Sequence, residues 1–199
     1  MHKKRFKIFL LLFFSIPLIN AQKSIEELSL KAYNSKDSST YLFKKIHKKL
    51  ATKSDTASYL YYKFYKKDAN NQIDSANYYA KKLIPLFQQL DTVNRLRKIH
   101  LRLYHQNLNN GNYDLALKEI QTALELAKKL NDTALISLHY SDISILYHDF
   151  SYYDKGVTYG KKAFAIMNSK KVKEYKYLMF ANNATAINFD DWNKPDSAL

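Results

Sequence analysis

Apolar residues in the middle of the chain recur at intervals of three and four positions. Two such stripes run through Leu96, Ile99, Leu103 and Leu108, and through Leu135, Leu138, Ile143 and Leu146. This spacing puts the apolar side chains on one face of an α-helix. After the first stripe, Gly111 lies in an Asn-rich turn and can take a left-handed backbone conformation. The pattern predicts consecutive helices joined by short turns, with one helix from Tyr113 to about Leu130.

A short element, made of Asp, any residue and a small residue, recurs along the chain. It begins at Asp74, Asp114, Asp154 and Asp196, with spacings of 40, 40 and 42 residues. The apolar positions that follow the first three copies coincide as well. Self-similarity at such a period is typical of stacked supersecondary units. We therefore predict an all-α fold built from antiparallel helix pairs of about forty residues.

Small residues are expected where the helices of a pair cross closely: Ala76, Ala116, Ala123, Gly156 and Ala163. A large side chain at such a crossing would force the helices apart. Gly inside a helix costs ~1 kcal/mol relative to Ala, a cost that close packing can offset. Three aromatic residues are expected to fill the wider spaces between pairs: Tyr104, Tyr147 and Phe189.

Local signals mark where helices should begin and where one should be disturbed. Asp55-Thr56, Asp91-Thr92 and Asp132-Thr133 precede predicted first helices, where their side chains can accept amide hydrogens of a helix N-terminus. The same segments also fit O-glycosylation acceptors of some exported bacterial proteins, but capping explains them without a further assumption. Pro85 lies inside a predicted helix and is expected to kink or break it.

The first 21 residues have the pattern of a secretory signal peptide. Lys3, Lys4, Arg5 and Lys7 precede an apolar run over residues 8–19, and Ala21 offers a small residue for cleavage. Twelve helical residues span ~18 Å, which is short of a bilayer core of ~30 Å. We predict export to the periplasm or the periplasmic side of a bacterial membrane. An uncleaved signal anchor is the alternative.

The chain is strongly basic, with 32 Lys and Arg against 18 acidic residues and a net charge of +14. Without the first 21 residues, 28 basic residues remain against the same 18, a net charge of +10. Such a charge can attract nucleic acid or an anionic surface. However, the lysines are spread at helix-face spacing, and Arg, which reads base edges well, is rare. We predict a solvated lysine surface and no nucleic-acid partner.

The residues do not suggest an active site. Absence of Cys excludes thiolate catalysis and Cys-based zinc sites. The six His residues do not form a His-x-x-x-His pair, and three isolated Gly residues cannot form a phosphate-binding loop. His148 and Asp149 are adjacent and should point to different faces of a helix. We predict no catalytic, cofactor or metal site, and no enzymatic activity for this region.

The spacing of turn and small residues resembles that of the tetratricopeptide repeat (TPR) family. Gly111 with Ala116, and Asn71 with Ala76, match the family's turn residue and the Ala five positions later. Ala123 also matches its second small position, seven residues further on, as does the equivalent Ala of the next copy. The departures are His100 and Tyr140 at the usual Trp position, Ser151 at a turn Gly, a missing terminal Pro, and a repeat longer than the family's ~34 residues.

The resemblance implies an antiparallel helix-pair solenoid, or α-α superhelix. Its expected organisation is a signal peptide over 1–21, a degenerate capping pair over 22–54, and repeats over 55–90, 91–130, 131–171 and 172–199, the last incomplete. The capping pair is expected to have helices near Ile25–Asn34 and Ser38–Ala51. In this family the first helix of each pair lines a concave groove. The groove positions here would be Tyr61, Tyr65, His105, Asn109, Ser141, Ile145, His148 and Asp149.

The resemblance also implies a function in protein binding. Longer repeats of this kind resemble those of exported bacterial sensors and regulators, in which the array precedes a membrane helix and a histidine kinase or a helix-turn-helix domain. We therefore expect a protein or peptide ligand, no cofactor, and membrane contact only through the signal or a downstream segment. A free-standing periplasmic scaffold or adaptor is the alternative, and an enzyme is a third hypothesis without a candidate residue.

Overall fold

The computed structural model describes residues 25–169 and 175–192, and within these ranges it is entirely helical. The predicted signal peptide and the Asp196 element lie outside the described residues. The nine described helices are α1 (25–34), α2 (Ser39–His47), α3 (Lys53–Ala69), α4 (Ile73–Gln89), α5 (Val93–Asn109), α6 (Tyr113–Lys129), α7 (Thr133–Asp149), α8 (Tyr153–Ser169) and α9 (Tyr175–Asp191). None of these helices is both long and apolar enough to cross a membrane.

The helices α3 to α8 share one length and one type of ending. Each has 17 residues. The second residue after five of them has a positive φ, at positions 71, 91, 111, 131 and 151. At the first of these turns, Asn71 N donates to Asp68 O and Gln72 N donates to Lys67 O, both at 2.9 Å. This pair of bonds is the Schellman ending, which satisfies the last carbonyls of a helix.

The turn prediction is confirmed at Gly111, whose φ is 70°. The other four left-handed positions are occupied by Asn71, Asp91, Asn131 and Ser151. Asn and Asp tolerate this conformation better than other residues with a side chain. Asp91 therefore belongs to the ending of α4. Thr92 is the N-cap of α5, so Asp91-Thr92 stand just before this helix as predicted, but no side-chain cap bond forms there.

Helix starts follow the prediction in one case and shift in another. Asp132 is the N-cap of α7, and its carboxylate accepts from Leu135 N at 3.0 Å. In α3 the N-cap is Thr52, which forms a reciprocal capping box with Asp55. The helix therefore begins at Lys53, and the prediction that Asp55-Thr56 precedes it is wrong. The sequence signal was the paired Thr and Asp three residues apart.

The contacts group the described residues into two compact units, which divide between Asp91 and Thr92. In the first unit, α3 and α4 form a pair around Phe64, Leu83 and Phe87, each at most 1% exposed. The predicted helix at 25–34 is confirmed, whereas the next one ends at His47, earlier than the predicted Ala51.

In the second unit, α5 pairs with α6 and α7 pairs with α8, while α9 packs on α7 and α8. The core contains Ile120, Ile143 and Leu146, all fully buried. Tyr104 of α5 is 2% exposed and belongs to the same cluster, as predicted for an aromatic that fills space between pairs.

The predicted small residues all lie at buried positions: Ala76, Ala116, Ala123, Gly156 and Ala163. At Gly156 the close neighbour is unexpected, because a Cβ there would lie 1.7 Å from Asn188 Oδ1 of α9. At Gly160 it would lie 2.3 Å from Thr185 Oγ1, also of α9. At these two glycines the close contact is therefore between helices of successive pairs, α8 and α9, whereas we predicted it between the two helices of one pair.

Pro85 lies on the exposed side of α4, and the helix continues past it to Gln89. Of the predicted kink or break, the break is therefore wrong. Pro85 removes the donor for the Lys81 carbonyl, but Lys81 is exposed, so water can replace that donor. Leu83 before the proline and Phe87 after it are both buried, and they anchor this part of α4 to the core.

Candidate functional site

The predicted groove positions Tyr61 and Tyr65 lie one turn apart on α3 in the first unit. Both side chains are half-buried, and their rings pack edge to face with centroids 4.8 Å apart. Tyr61 also contacts the ring of Phe87 on α4 at 5.8 Å. These rings combine packing against the pair's core with an accessible edge, a combination that suits recognition of a peptide.

The remaining predicted groove positions lie in the second unit. His105 is half-buried on α5, with its ring 4.8 Å from that of Tyr104, and Asn109 is exposed at the end of the same helix. On α7, Ile145 is half-buried. Ser141 is only 1% exposed, and its hydroxyl donates to the Ser137 carbonyl at 3.2 Å. Ser141 therefore has no surface to offer a partner in this structure.

His148 connects two first helices at their C-terminal ends. Its Nε2 forms a short hydrogen bond with the Asp191 carboxylate of α9, and its Nδ1 lies 3.4 Å from Asp149 Oδ1. His148 and Asp149 were expected to point to different faces, but their side chains meet. Asp191 is a groove candidate that the sequence analysis missed.

A buried polar chain links α5 to α7. Arg97 is 4% exposed and donates from Nη1 to His139 Nε2 at 3.2 Å. Since guanidinium only donates, Nε2 must accept, and the Nδ1 proton of His139 donates to Asp142 Oδ2 at 3.1 Å. Asn94 Oδ1 accepts from Arg97 Nη2 at 3.1 Å. The chain pairs a buried cation with a carboxylate through a neutral ring, which stabilises the contact between successive pairs.

Tyr104 lies beside this chain, and its hydroxyl donates to the Asp142 carbonyl at 3.4 Å. Burial raises the pKa of Tyr104, and the nearby carboxylates of Asp142 and Asp149 raise it further. The phenol therefore stays neutral well above its ordinary range and acts as a structural donor.

The two residues at the position of the family's Trp connect the helices of a pair. His100 of α5 forms a 2.6 Å hydrogen bond with Glu119 of α6. Tyr140 of α7 packs against Tyr159 of α8, with ring centroids 6.1 Å apart. A polar pair and an aromatic pair thus occupy equivalent places in successive repeats.

A cationic cavity in the first unit has no counterpart among the sequence predictions. It has a volume of about 420 Å³ and lies between α2, α3, α4 and the connection from α1 to α2. Its basic lining residues are Lys36, Lys44, His47, Lys63, Lys66 and Lys67. None of the described residues that line it is acidic. Lys63, Lys66 and Lys67 share one face of α3, a spacing that the sequence analysis assigned to solvated surface.

Two lysines of this cavity, Lys66 and Lys67, are held by uncharged groups. Lys66 Nζ donates to the carbonyls of Tyr33 and Ser35 at 3.0 and 2.7 Å, which ties α3 to the end of α1. Lys67 Nζ donates to Gln72 Oε1 at 2.8 Å. These contacts fix the ammonium groups in place without neutralising their charge.

Lys63 is the central lysine, with Nζ 5.3 and 5.0 Å from the ring centroids of Tyr59 and Tyr79. Burial lowers the pKa of Lys63, but hydrogen bonding and charge interactions with Tyr79 and Tyr59 outweigh this, and the net pKa is raised. Lys63 therefore keeps its charge inside the cavity.

A second cavity, of about 550 Å³, shares His47 and Tyr59 with the first. Pro85, Leu86 and Leu60 give it a more apolar lining. Within the described part of the chain, no group of three or more His, Cys, Asp or Glu side chains is arranged to hold a metal ion.

Comparisons with known proteins rest on structure, since no protein-family model and no curated protein matches the chain. The chain is similar to BtubC (BKLC) from P. vanneervenii, with a TM-score of 0.74, 13% identity, and coverage of 94% of this chain and 80% of that one. It is also similar to a signal transduction ATPase of the STAND class with a tetratricopeptide repeat sensor from Pyrococcus horikoshii. That match has a TM-score of 0.73 and 18% identity, and covers 89% of this chain and 29% of that one.

A third similar structure is a set of nearly identical TPR-like repeats from Podospora anserina. Its TM-score is 0.67 at 12% identity, over 88% of this chain and 89% of that one. Together these similarities confirm the predicted fold class: the chain has a TPR-like fold of antiparallel helix pairs. At these sequence identities, the structural similarities establish the fold alone.

Proposed function

We propose that this chain is a protein-binding module that receives a protein or peptide along the first helices of its pairs, without catalysis. The observation that carries the proposal lies in the second unit. There α7 and α9, first helices in successive positions, pack side by side and are joined by the bond from His148 to Asp191. Side-by-side first helices give a continuous face, which is how stacked repeats bind extended partners.

The chemistry of the predicted face supports recognition of a peptide. Tyr61, Tyr65 and His105 present half-buried rings with polar tips, a residue type enriched at protein interfaces. Asn109 and Asp149 add exposed hydrogen-bonding groups at the ends of first helices. In the second unit, His105 would be an apolar anchor with Asn109 and Asp149 as its polar margin, the usual anatomy of an interface. In the first unit, Tyr61 and Tyr65 would be anchors of the same type.

Site-specific photo-crosslinking tests this proposal. A photoreactive amino acid placed at Asn109 or Asp149 should give a discrete protein adduct in the native cell. The matched control positions are Thr158 and Lys162, which are exposed on the second helix α8. Adducts of one defined mass from the first-helix positions alone support the proposal. Equal adducts from both sets, or none from the first-helix set, would contradict it.

A substitution at Asp191 tests whether the partner lies across the contact between His148 and Asp191. Asp191→Asn keeps the size of the side chain but removes the charge that faces His148. If the partner lies across this contact, the yield of the Asp149 adduct should fall, while the helical circular dichroism stays unchanged. An unchanged yield would show that binding of the partner does not depend on the contact between His148 and Asp191.

We further propose that the chain is exported and forms the N-terminal sensory region of a longer membrane-bound signalling protein. Support comes from the basic and apolar pattern of residues 1–21. The STAND protein, whose tetratricopeptide repeats are described as its sensor, is an analogy for the sensory role, and this chain spans 29% of its length. A free-standing periplasmic scaffold is the alternative.

Two measurements separate these proposals. A reporter enzyme that is active only outside the cytoplasm, fused after residue 60, should be active, and an inactive fusion that is stably expressed would contradict export. The coding sequence after residue 199 should then encode a run of ~20 apolar residues followed by an output domain. A stop codon shortly after residue 199 would favour the scaffold.

A further inference from the structure

The cationic cavity of the first unit has the features of a ligand site, and it differs from the predicted groove. On α3, Tyr59, Lys63 and Lys66 point to one side, whereas Tyr61 and Tyr65 lie on the opposite face, since a helix turns by ~100° per residue. The cavity therefore does not belong to the face on which the proposed function rests.

We propose that this cavity binds a phosphate-bearing group. Several ammonium groups share a volume of about 420 Å³, within the range of small-molecule sites, and none of the described lining residues is acidic. The acids nearest in sequence, Asp37 and Asp68, do not line the cavity. Like charges at close quarters repel one another, so a bound anion stabilises this arrangement.

The type of basic residue favours phosphate over carboxylate. The cationic lining consists of Lys and His, with no Arg among the described residues. Ammonium groups are compact charges that can approach a tetrahedral oxyanion from several directions, whereas planar carboxylates are matched best by the two parallel donors of Arg. A phosphate with about two negative charges at neutral pH would be contacted by more than one lysine.

The first turn of α2 adds to this preference. Ser39 and Thr40, its first residues, also line the cavity, and this turn contains no acidic side chain. A helix N-terminus carries a partial positive charge and suits an anion. Tyr59 and Tyr79 supply rings on the opposite wall, against which the organic part of a phosphorylated molecule could pack.

Calorimetric titration of the full chain with inorganic pyrophosphate tests the proposal. Lys36 and Lys44 are the variants to use, because both are exposed and both line the cavity. Lys36→Gln with Lys44→Gln should weaken binding by roughly tenfold to a hundredfold. The matched control is Lys45→Gln with Lys49→Gln, which removes the same charge from exposed lysines outside the cavity and should change affinity less than about twofold.

Equal weakening in both double variants would show general charge attraction and would overturn the proposal. So would the absence of binding to both pyrophosphate and a phosphorylated lipid. The source of the phosphate is distinguished by vesicles of phosphatidylcholine with and without phosphatidic acid. Binding to phosphatidic acid that is lost in the Lys36 and Lys44 variant, without binding to pyrophosphate, assigns the site to a lipid headgroup.

A hexaglutamate peptide provides the third arm of the experiment. Binding of this peptide as tightly as pyrophosphate, with the same sensitivity to the cavity lysines, would overturn the assignment to phosphate in favour of an acidic segment. Peptide binding at least tenfold weaker than that of pyrophosphate supports the proposal. Helical circular dichroism of each variant verifies that the fold is retained.

Discussion

Replacement of Gly156 by Ala tests the close approach between α8 and α9. The added Cβ would lie 1.7 Å from Oδ1 and 2.2 Å from Cγ of Asn188, so this side chain must move. Asn188 is fully buried, and its Nδ2 donates to the Ala184 carbonyl at 2.8 Å and to Ser144 Oγ at 3.2 Å. Its movement therefore breaks a hydrogen-bonded contact that joins α7 and α9.

The expected effect is the sum of three contributions. Overpacking costs about 1–3 kcal/mol, and the hydrogen bonds lost by Asn188 cost about 1–2 kcal/mol more. The higher helix propensity of Ala offsets about 1 kcal/mol of this. Gly156→Ala should therefore destabilise the protein by about 1–4 kcal/mol. The midpoint of about 2.5 kcal/mol corresponds to a fall in Tm of roughly 5–10 °C for a chain of this size.

Asn188→Ala provides the matched background, because it removes the three atoms nearest to the added Cβ. In that background Gly156→Ala should be neutral or stabilise by up to about 1 kcal/mol, since only the helix-propensity gain remains. The assay is urea unfolding followed by circular dichroism, with amide hydrogen exchange to locate the loss in α8 and α9. A stabilising Gly156→Ala in the unaltered chain, or no rescue by Asn188→Ala, would refute the described contact.

Three further changes test single features. Thr52→Ala removes the capping box of α3 and should lower the free energy of unfolding in urea by about 1 kcal/mol. Its control is Asn112→Ala, at an N-cap without a side-chain bond, which should change this free energy by less than about 0.5 kcal/mol. Equal effects of the two variants would contradict the capping box. Ser151→Gly should stabilise by about 0.5–1 kcal/mol because φ is 61°, and a lower Tm would count against this conformation. Tyr104 has a raised folded pKa, so the stability it contributes is present below its ordinary pKa of 10.0 and is lost as pH rises above it. Tyr104→Phe should therefore show a smaller fall of Tm between about pH 9 and 11, and an identical fall would argue against burial of the phenol.

Sequence reasoning identified the helices because their signals are local and repeated. Apolar spacing, the Gly111 turn and buried small residues such as Ala116 and Ala123 each depend on neighbours within one or two turns. Where two local signals compete at one residue, the same reasoning does not decide between them. Asp91 looks like an N-cap, but it also tolerates a left-handed φ, and the geometry of the turn selects the second role.

Most polar contacts of the second unit were missed, although a signal for them exists. Arg97 with His139, and Ser144 with Asn188, are separated by 42 and 44 residues, close to one repeat length. Polar residues one repeat apart on first helices are therefore candidates for contact. The cationic cavity lacks such a signal, because it depends on the irregular connection at Lys36 and on the placement of the short helix α2.

The regular placement of the left-handed residues, twenty positions apart from 71 to 151, restricts how this chain can change in length. Loss of one residue inside a helix would rotate everything beyond it by ~100° and carry the small residues away from their crossings. Removal of forty residues would leave the order of first and second helices intact, whereas removal of twenty would exchange their roles. Variants that differ by whole multiples of the helix pair are therefore the ones expected to fold, and they would add or remove first helices of the proposed binding face without changing the others.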